Sequence, residues 1–173
     1  MIGFAALVVT SLFAAGADEA KAGPPDNLAI EQRIYLYADA LDWDRADPEG
    51  GKAQFLSIFS DDVVARYPKW NMSFSGKGDE AGGIGWFYTN FNMATQSLSH
   101  TIISNIIITV KGKEATTKDR YSHIGYFIGK PQNRENATFQ LGYHEGKWRK
   151  VKGQWECYQW DGYVEFDNTS DAP

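Results

Sequence analysis

Residues 99–127 read SHTIISNIIITVKGKEATTKDRYSHIGYF, two long runs of β-branched and aromatic residues joined by the polar turn Lys111-Gly112-Lys113. That pattern is a hairpin signature. The runs are Ser99–Val110 and Glu114–Phe127, and two more of the same texture follow, Ala137–His144 and Lys147–Tyr163. Pro131–Glu135 forms a loop between the second and third runs, and Glu145-Gly146 reads as a turn between the third and fourth. The second half of the chain is therefore expected to be a meander of four antiparallel strands.

Upstream the texture changes. Between Asn27 and about Asp44, Ile30, Ile34, Ala38 and Leu41 recur at helical spacing, with Tyr35 and Tyr37 beside them and Asp26 placed to cap the helix. A second helix is expected over Lys52–Ser60, carrying Phe55, Leu56 and Phe59, and a short strand over Val63–Tyr67. Ile84–Ala94 again has helical spacing. Helices segregated from an antiparallel sheet define an α+β class. A strongly curved sheet packed on N-terminal helices leaves a deep pocket at its open end, where small ligands bind.

A chain of 173 residues fits one domain. The first stretch, Ile2 to Ala15, is apolar but too short to span a membrane. Small-x-small sites follow it, so residues 1–22 read as a cleaved export signal, although no Lys or Arg precedes the apolar run. Residues 23–29 are expected to be a linker, 30–165 the domain and 166–173 a tail. That organisation predicts a periplasmic or secreted protein that does not engage the membrane once the signal is removed. The net charge of −5 argues against nucleic acid as a partner. The cluster Lys147, Arg149, Lys150 and Lys152 is short and split between two strand faces. Cys157 is the sole cysteine, so no internal disulfide forms, and its bulky apolar neighbours predict a buried, inert thiol.

Three histidines are present. His144 abuts the expected turn and should be exposed. His123 shares a strand face with Tyr121, Gly125 and Phe127, and His100 lies on the side of Ile102, Ser104 and Ile106, so both imidazoles are expected to face an apolar interior. Asp42 continues the apolar stripe of the first helix through Ile34 and Ala38, where a carboxylate needs a partner. Asp39 and Asp44 are more easily solvated. A buried Asp with inward histidines suggests an acid/base set in which the carboxylate fixes one imidazole's tautomer and raises its basicity. No H-x-H or H-E-x-x-H pair occurs, so neither a metal nor a cofactor is expected.

The segment Tyr37-Ala38-Asp39-Ala40-Leu41-Asp42-Trp43-Asp44 resembles the first-helix signature of scytalone dehydratases and their SnoaL-like relatives in the NTF2-like superfamily. Phe59-Ser60-Asp61-Asp62-Val63-Val64 is similar to the helix-to-strand junction of that group, and Gln96-Ser97-Leu98-Ser99-His100 to the segment ending in its first active-site histidine. The similarity runs from about Ile30 to Trp160. It implies a cone-shaped fold, metal-free acid/base chemistry, and Asp42, Tyr67, His100 and His123 as the catalytic set. The family tyrosine preceding the aspartate is replaced by Leu41, and Asn136 is a loose counterpart of a family polar residue. The resemblance also implies a homodimer or homotrimer.

The function expected is a lyase or isomerase, dehydratase-like, acting on a small cyclic or polyketide-like substrate. His123 paired with Asp42 would take a proton beside a carbonyl, while His100 and Tyr67 polarise the oxygen or protonate the leaving hydroxyl. Tyr37, Trp86, Phe87, Tyr121 and Trp155 are the candidate substrate-binding aromatics. The alternative is a non-catalytic binder of an apolar small molecule in the same pocket.

Overall fold

A computed structural model describes residues 24–42, 47–93 and 96–168, with the side chains of 91–97 left aside. The proposed export signal, Trp43, Asp44 and residues 169–173 lie outside the described residues.

Helix α1 spans Asp26–Asp42 and buries Ile30, Ile34, Tyr37, Ala38 and Ala40; of the stripe expected from the sequence, Ile30, Ile34 and Ala38 are buried and Leu41 is half-buried. Asp26 is its first residue. Rather than capping the helix, its carboxylate accepts from Lys150 Nζ at 2.5 Å and Trp155 Nε1 at 3.0 Å. Helix α2 covers Pro48–Ser57, starting four residues before the expected position. Asp47 accepts from the Gly50 amide at 2.9 Å and Pro48 sits at the first helical position, and together these start the helix despite Gly50-Gly51.

Strand β1 then runs Phe59–Tyr67, longer than the expected Val63–Tyr67, because Phe59 already pairs with Cys157. Strand β2 (Met72–Ser75), helix α3 (Ile84–Phe87) with a π-helical turn over Tyr88–Met93, and strands β3 (Gln96–Lys111), β4 (Glu114–Phe127), β5 (Ala137–Val151) and β6 (Gln154–Asp167) follow among the described residues. They form one six-stranded sheet in the order β2-β1-β6-β5-β4-β3. The four-strand meander is present. The β1–β6 pair, however, is parallel inside an otherwise antiparallel sheet.

Two features of the meander differ from expectation, and both decide the site. Glu145-Gly146 is not a turn: β5 passes straight through it, and the reversal falls at Lys152-Gly153, both in the left-handed region. Gly146 is glycine for packing. A Cβ there would lie 2.5 Å from Thr117 Oγ1 and 2.7 Å from Trp148 Nε1, which hydrogen-bond to each other across the strands. His144 is consequently mid-strand.

The second feature is a bulge in β3 between Ser104 and Ile107, where Asn105 has φ of 51°. A bulge shifts the alternation of inward and outward residues. On its near side Thr101 and Ile103 face in. His100, Ile102 and Ser104 face out. Beyond it Ile106 and Ile108 pack on the core.

Strand β4 has no such break, and Ala115, Thr117, Asp119, Tyr121 and His123 are buried in strict alternation. Cys157 is fully buried, and burial pushes its thiol far above the ordinary range. Among the described residues no helix is long and apolar enough to cross a membrane.

Candidate active site

The last turn of α1 must satisfy its own carbonyls, since the end of a helix has no following turn to donate to them. Tyr88 Oη donates to Ala40 O at 3.1 Å and Ser99 Oγ to Leu41 O at 2.9 Å. These bonds fix the helix end against the start of β3. Asp42 is thereby set beside Thr101. The Thr101 amide donates to Asp42 Oδ2 at 2.5 Å, and Thr101 Oγ1 donates to Asp42 Oδ1 at 2.8 Å.

Thr101 Oγ1 also lies 2.9 Å from His123 Nδ1. A hydroxyl has one hydrogen, and the carboxylate takes it, so His123 Nδ1–H donates to the Thr101 oxygen. The imidazole is held in its Nδ1–H tautomer. Burial, and then the nearby His100, lower the affinity of the His123 ring for a proton to about pH 4. Burial raises the Asp42 carboxyl, and the two Thr101 hydrogen bonds and His100 oppose that shift. The arrangement is a carboxylate, a hydroxyl and a neutral imidazole in series. The series orients the ring and keeps it neutral, so Nε2 is able to accept a proton, but burial makes it a weaker base than an ordinary imidazole, against the raised basicity expected from the sequence.

This chain borders a chamber of about 540 Å³ counted out to its open mouth. Tyr37 and Leu41 of α1, Phe87 of α3 and Trp70 line it together with the sheet residues Tyr67, Thr101, Tyr121, His123, Gln140 and His144. Tyr37 Oη and Tyr67 Oη are 3.4 Å apart, both rings buried. Burial drives the Tyr37 hydroxyl up to about 12 and those of Tyr67 and Tyr121 well above their ordinary value, so all three are neutral donors at physiological pH. Tyr67 stacks on Phe87 with centroids 4.8 Å apart.

Of the residues singled out in the sequence, Tyr37, Tyr67, Phe87, Tyr121 and His123 line the chamber, and Asp42 is tied to it through Thr101. His100 does not face the chamber: its side chain is 70% exposed, and its Nδ1 touches Asp42 Oδ2 from outside at 3.3 Å. The bulge at Asn105 explains the reversal, because Ile106 is inward but Ile102 is not. Asp42 reaches His123 through Thr101, a link that the direct pairing expected from the sequence omits. Trp86 stacks on Phe74 and Trp155 is tied to Asp26, so neither is among the lining residues. Asn136 donates to Asn133 Oδ1 within its own loop.

His144 is the opposite correction. It is buried, not exposed, and its Nδ1 lies 2.9 Å from Asp119 Oδ1. Its ring is sandwiched between Tyr121, at 4.5 Å and 18°, and Trp160, at 4.7 Å and 30°. The sequence reading missed Thr101, Asp119 and Gln140 as well. For Asp119 a signal existed, since it lies on the His123 face of an unbroken β4. Among the described residues no group of three His, Cys, Asp or Glu side chains is placed to hold a metal ion.

The curved sheet packed on N-terminal helices, with a chamber between them, makes a cone-shaped α+β architecture. Solved structures agree at the level of fold. A candidate scytalone dehydratase from Novosphingobium aromaticivorans is similar with a TM-score of 0.68 at 17% identity, covering 85% of this chain and 89% of that one. A type 2 hexachlorocyclohexane dehydrochlorinase is similar at 0.67 and 12% identity, covering 85% and 93%. A candidate aromatic ring hydroxylase from Novosphingobium aromaticivorans is similar at 0.66 and 20% identity, covering 82% and 90%. Neither a protein-family model nor a curated protein sequence matches the chain.

Proposed function

We propose that the protein is an acid/base lyase or isomerase, dehydratase-like, for a small cyclic molecule. The observation that carries this reading is the series Asp42–Thr101–His123 at the wall of an aromatic chamber. His123, through Nε2, removes a proton from carbon beside a carbonyl. The electron pair moves into the carbonyl, and the resulting enolate oxygen accepts hydrogen bonds from the paired Tyr37 and Tyr67 hydroxyls. The proton then returns to another carbon, which is isomerisation, or is handed to a departing hydroxide, which leaves as water. Each well-placed acid or base contributes on the order of 10²–10⁴ in rate. In this mechanism His100 does not touch the substrate. Its part is to bias the charge of Asp42 from outside.

That neighbouring folds include lyases, one described as a candidate scytalone dehydratase and one as a dehydrochlorinase, supports the reaction class. Export to the periplasm or exterior, and assembly as a dimer or trimer, are proposed alongside it from the sequence alone.

The test uses 1-tetralone, a two-ring ketone with acidic α-hydrogens, in D₂O, followed by proton NMR. Wild-type protein should accelerate deuterium entry at the α-carbon, and His123→Gln should lose on the order of 100-fold of that acceleration. Binding of the ketone without any exchange would replace the enzyme with a ligand carrier.

A further inference from the structure

The outer face of the sheet, turned away from the chamber, is divided into two halves of unlike chemistry. One half carries closed ion pairs: Lys118 Nζ donates to Glu145 at 2.9 Å, Arg66 Nε to Asp161 at 2.6 Å, and Arg120 to Glu165. Those six charges are met within the chain. The other half is apolar. Leu98 and Ile102 of β3, Ile124 of β4, Phe139 and Leu141 of β5 and Phe166 of β6 lie in adjoining rows, because the register sets Ile124 beside Phe139 and Leu141 beside Phe166. The Phe139 and Phe166 rings meet with centroids 6.2 Å apart. Over Leu98–Ile102, Ser122–Tyr126 and Ala137–Leu141 no outward position holds Asp, Glu, Lys or Arg.

The exposure of this half is large. Leu98, Ile102 and Phe166 are 50%, 51% and 52% exposed and Ile124 39%. Single apolar side chains on a surface are ordinary, whereas a contiguous patch marks an interaction site. With the half-buried Phe139 and Leu141 and the His100 ring, the patch offers on the order of 600 Å². Two such patches bury about 1,200 Å², where specific interfaces begin. Charge then selects the occupant. The chain carries a net charge of −5, so two copies repel at long range, and this patch is where they approach without setting like charges together. A strongly basic or acidic partner finds no counter-charge on it. A two-fold pair puts the same patch on both sides, and an uncharged apolar patch is complementary to itself.

The patch also reaches the relay. His100 lies in the row of Ile124 and Phe139, its side chain 70% exposed and its Nδ1 3.3 Å from Asp42 Oδ2. Asp42 keeps 16% of its own side chain in water. We propose that this apolar half of the outer face is a two-fold interface with a second copy of the chain, in which each copy covers the other's His100 and with it the outward edge of Asp42. The interface lies outside the chamber and does not depend on the proposed reaction.

The test follows the full chain by sedimentation velocity between about 1 and 100 µM. Wild-type protein should pass from one copy to two across that range. Ile102→Glu sets a charge in the middle of the contact and should weaken pairing by at least about tenfold. Ile107→Glu adds the same charge at a 64% exposed isoleucine opposite Lys118, on the ion-pair half, and should pair as wild type does. In wild-type protein the ¹⁵N resonances of the His100 ring should move with the paired fraction. That measurement needs no variant, so it decides the matter even if Ile102→Glu fails to fold. A single copy at every concentration, an assembly of three, pairing that survives Ile102→Glu or is lost equally in Ile107→Glu, or a His100 ring indifferent to concentration each overturn the proposal. So does an unpaired chain that co-sediments with phosphatidylcholine vesicles, which gives the face to a membrane. No ketone enters this experiment, so the interface and the proposed reaction stand or fall separately.

Discussion

Thr101 Oγ1 stands 2.8 Å from Asp42 Oδ1 and 2.9 Å from His123 Nδ1, so a single hydroxyl transmits the carboxylate's demand for a proton to the imidazole. Both neighbours are on other elements, α1 and β4, and the hydroxyl is the joint between helix and sheet. Removing it should therefore affect stability and chemistry together. Thr101→Val, nearly isosteric, should destabilise the fold by about 1–3 kcal/mol, because His123 Nδ1–H and one Asp42 oxygen lose their partner. It should also slow exchange into 1-tetralone, and Thr101→Ser should restore most of both. Denaturant unfolding and NMR exchange check this; a valine variant indistinguishable from wild type removes the relay.

The low proton affinity of His123 gives a signed pH dependence. In the unfolded chain an imidazole titrates near 6.5, and in the fold this one titrates at about 4. Protonation thus favours the unfolded chain, so the stability is complete above about pH 6.5 and falls as pH drops toward 4, by about 3 kcal/mol at most. Asp42 is shifted upward and acts in the opposite sense. Comparing wild type with His123→Gln, where Asp42 is kept, isolates the histidine. The variant should show a flatter stability curve between pH 6.5 and 4.

His100 provides the contrast. Because it is exposed and meets Asp42 only at its outer edge, His100→Ala should change stability by no more than about 0.5 kcal/mol. Exchange activity should stay within a few-fold of wild type. A loss matching that of His123→Gln would return His100 to the catalytic set and would require β3 to be turned over.

Gly142 tests the sheet that carries the chamber. A Cβ at this position would lie 1.9 Å from the Tyr163 carbonyl oxygen and 2.7 Å from the Tyr121 ring. The first contact is backbone and cannot swing aside. Gly142→Ala should destabilise by about 1–3 kcal/mol and disturb Tyr121, which a thermal melt and the His144 ring shifts would register.

How far the sequence reveals this arrangement depends on where its alternation is clean. In β4 every second residue from Ala115 to His123 is buried, and reading that period places Tyr121 and His123 correctly. The α1 stripe likewise leads to Asp42. In β3, isoleucines occupy both parities, at 102, 103, 106, 107 and 108, so hydrophobicity cannot show which face is inside. The bulge at Asn105 then reverses the answer for His100. Glu145-Gly146 has the composition of a turn, yet the glycine is needed to let Trp148 reach Thr117, which only the packed sheet shows. That error hid His144. Thr101 is one threonine among several in the strands, and nothing short of the helix–sheet docking distinguishes it.

The claim on which the rest depends is that Thr101 holds His123 as a neutral imidazole with its hydrogen on Nδ1. A ¹H–¹⁵N correlation spectrum of the histidine side chains near pH 7 reads this state directly. The account predicts a protonated Nδ1 and a bare Nε2 for His123, with that pattern lost in Thr101→Val. A hydrogen on Nε2 with Nδ1 bare, or a ring charged at both nitrogens, would contradict it.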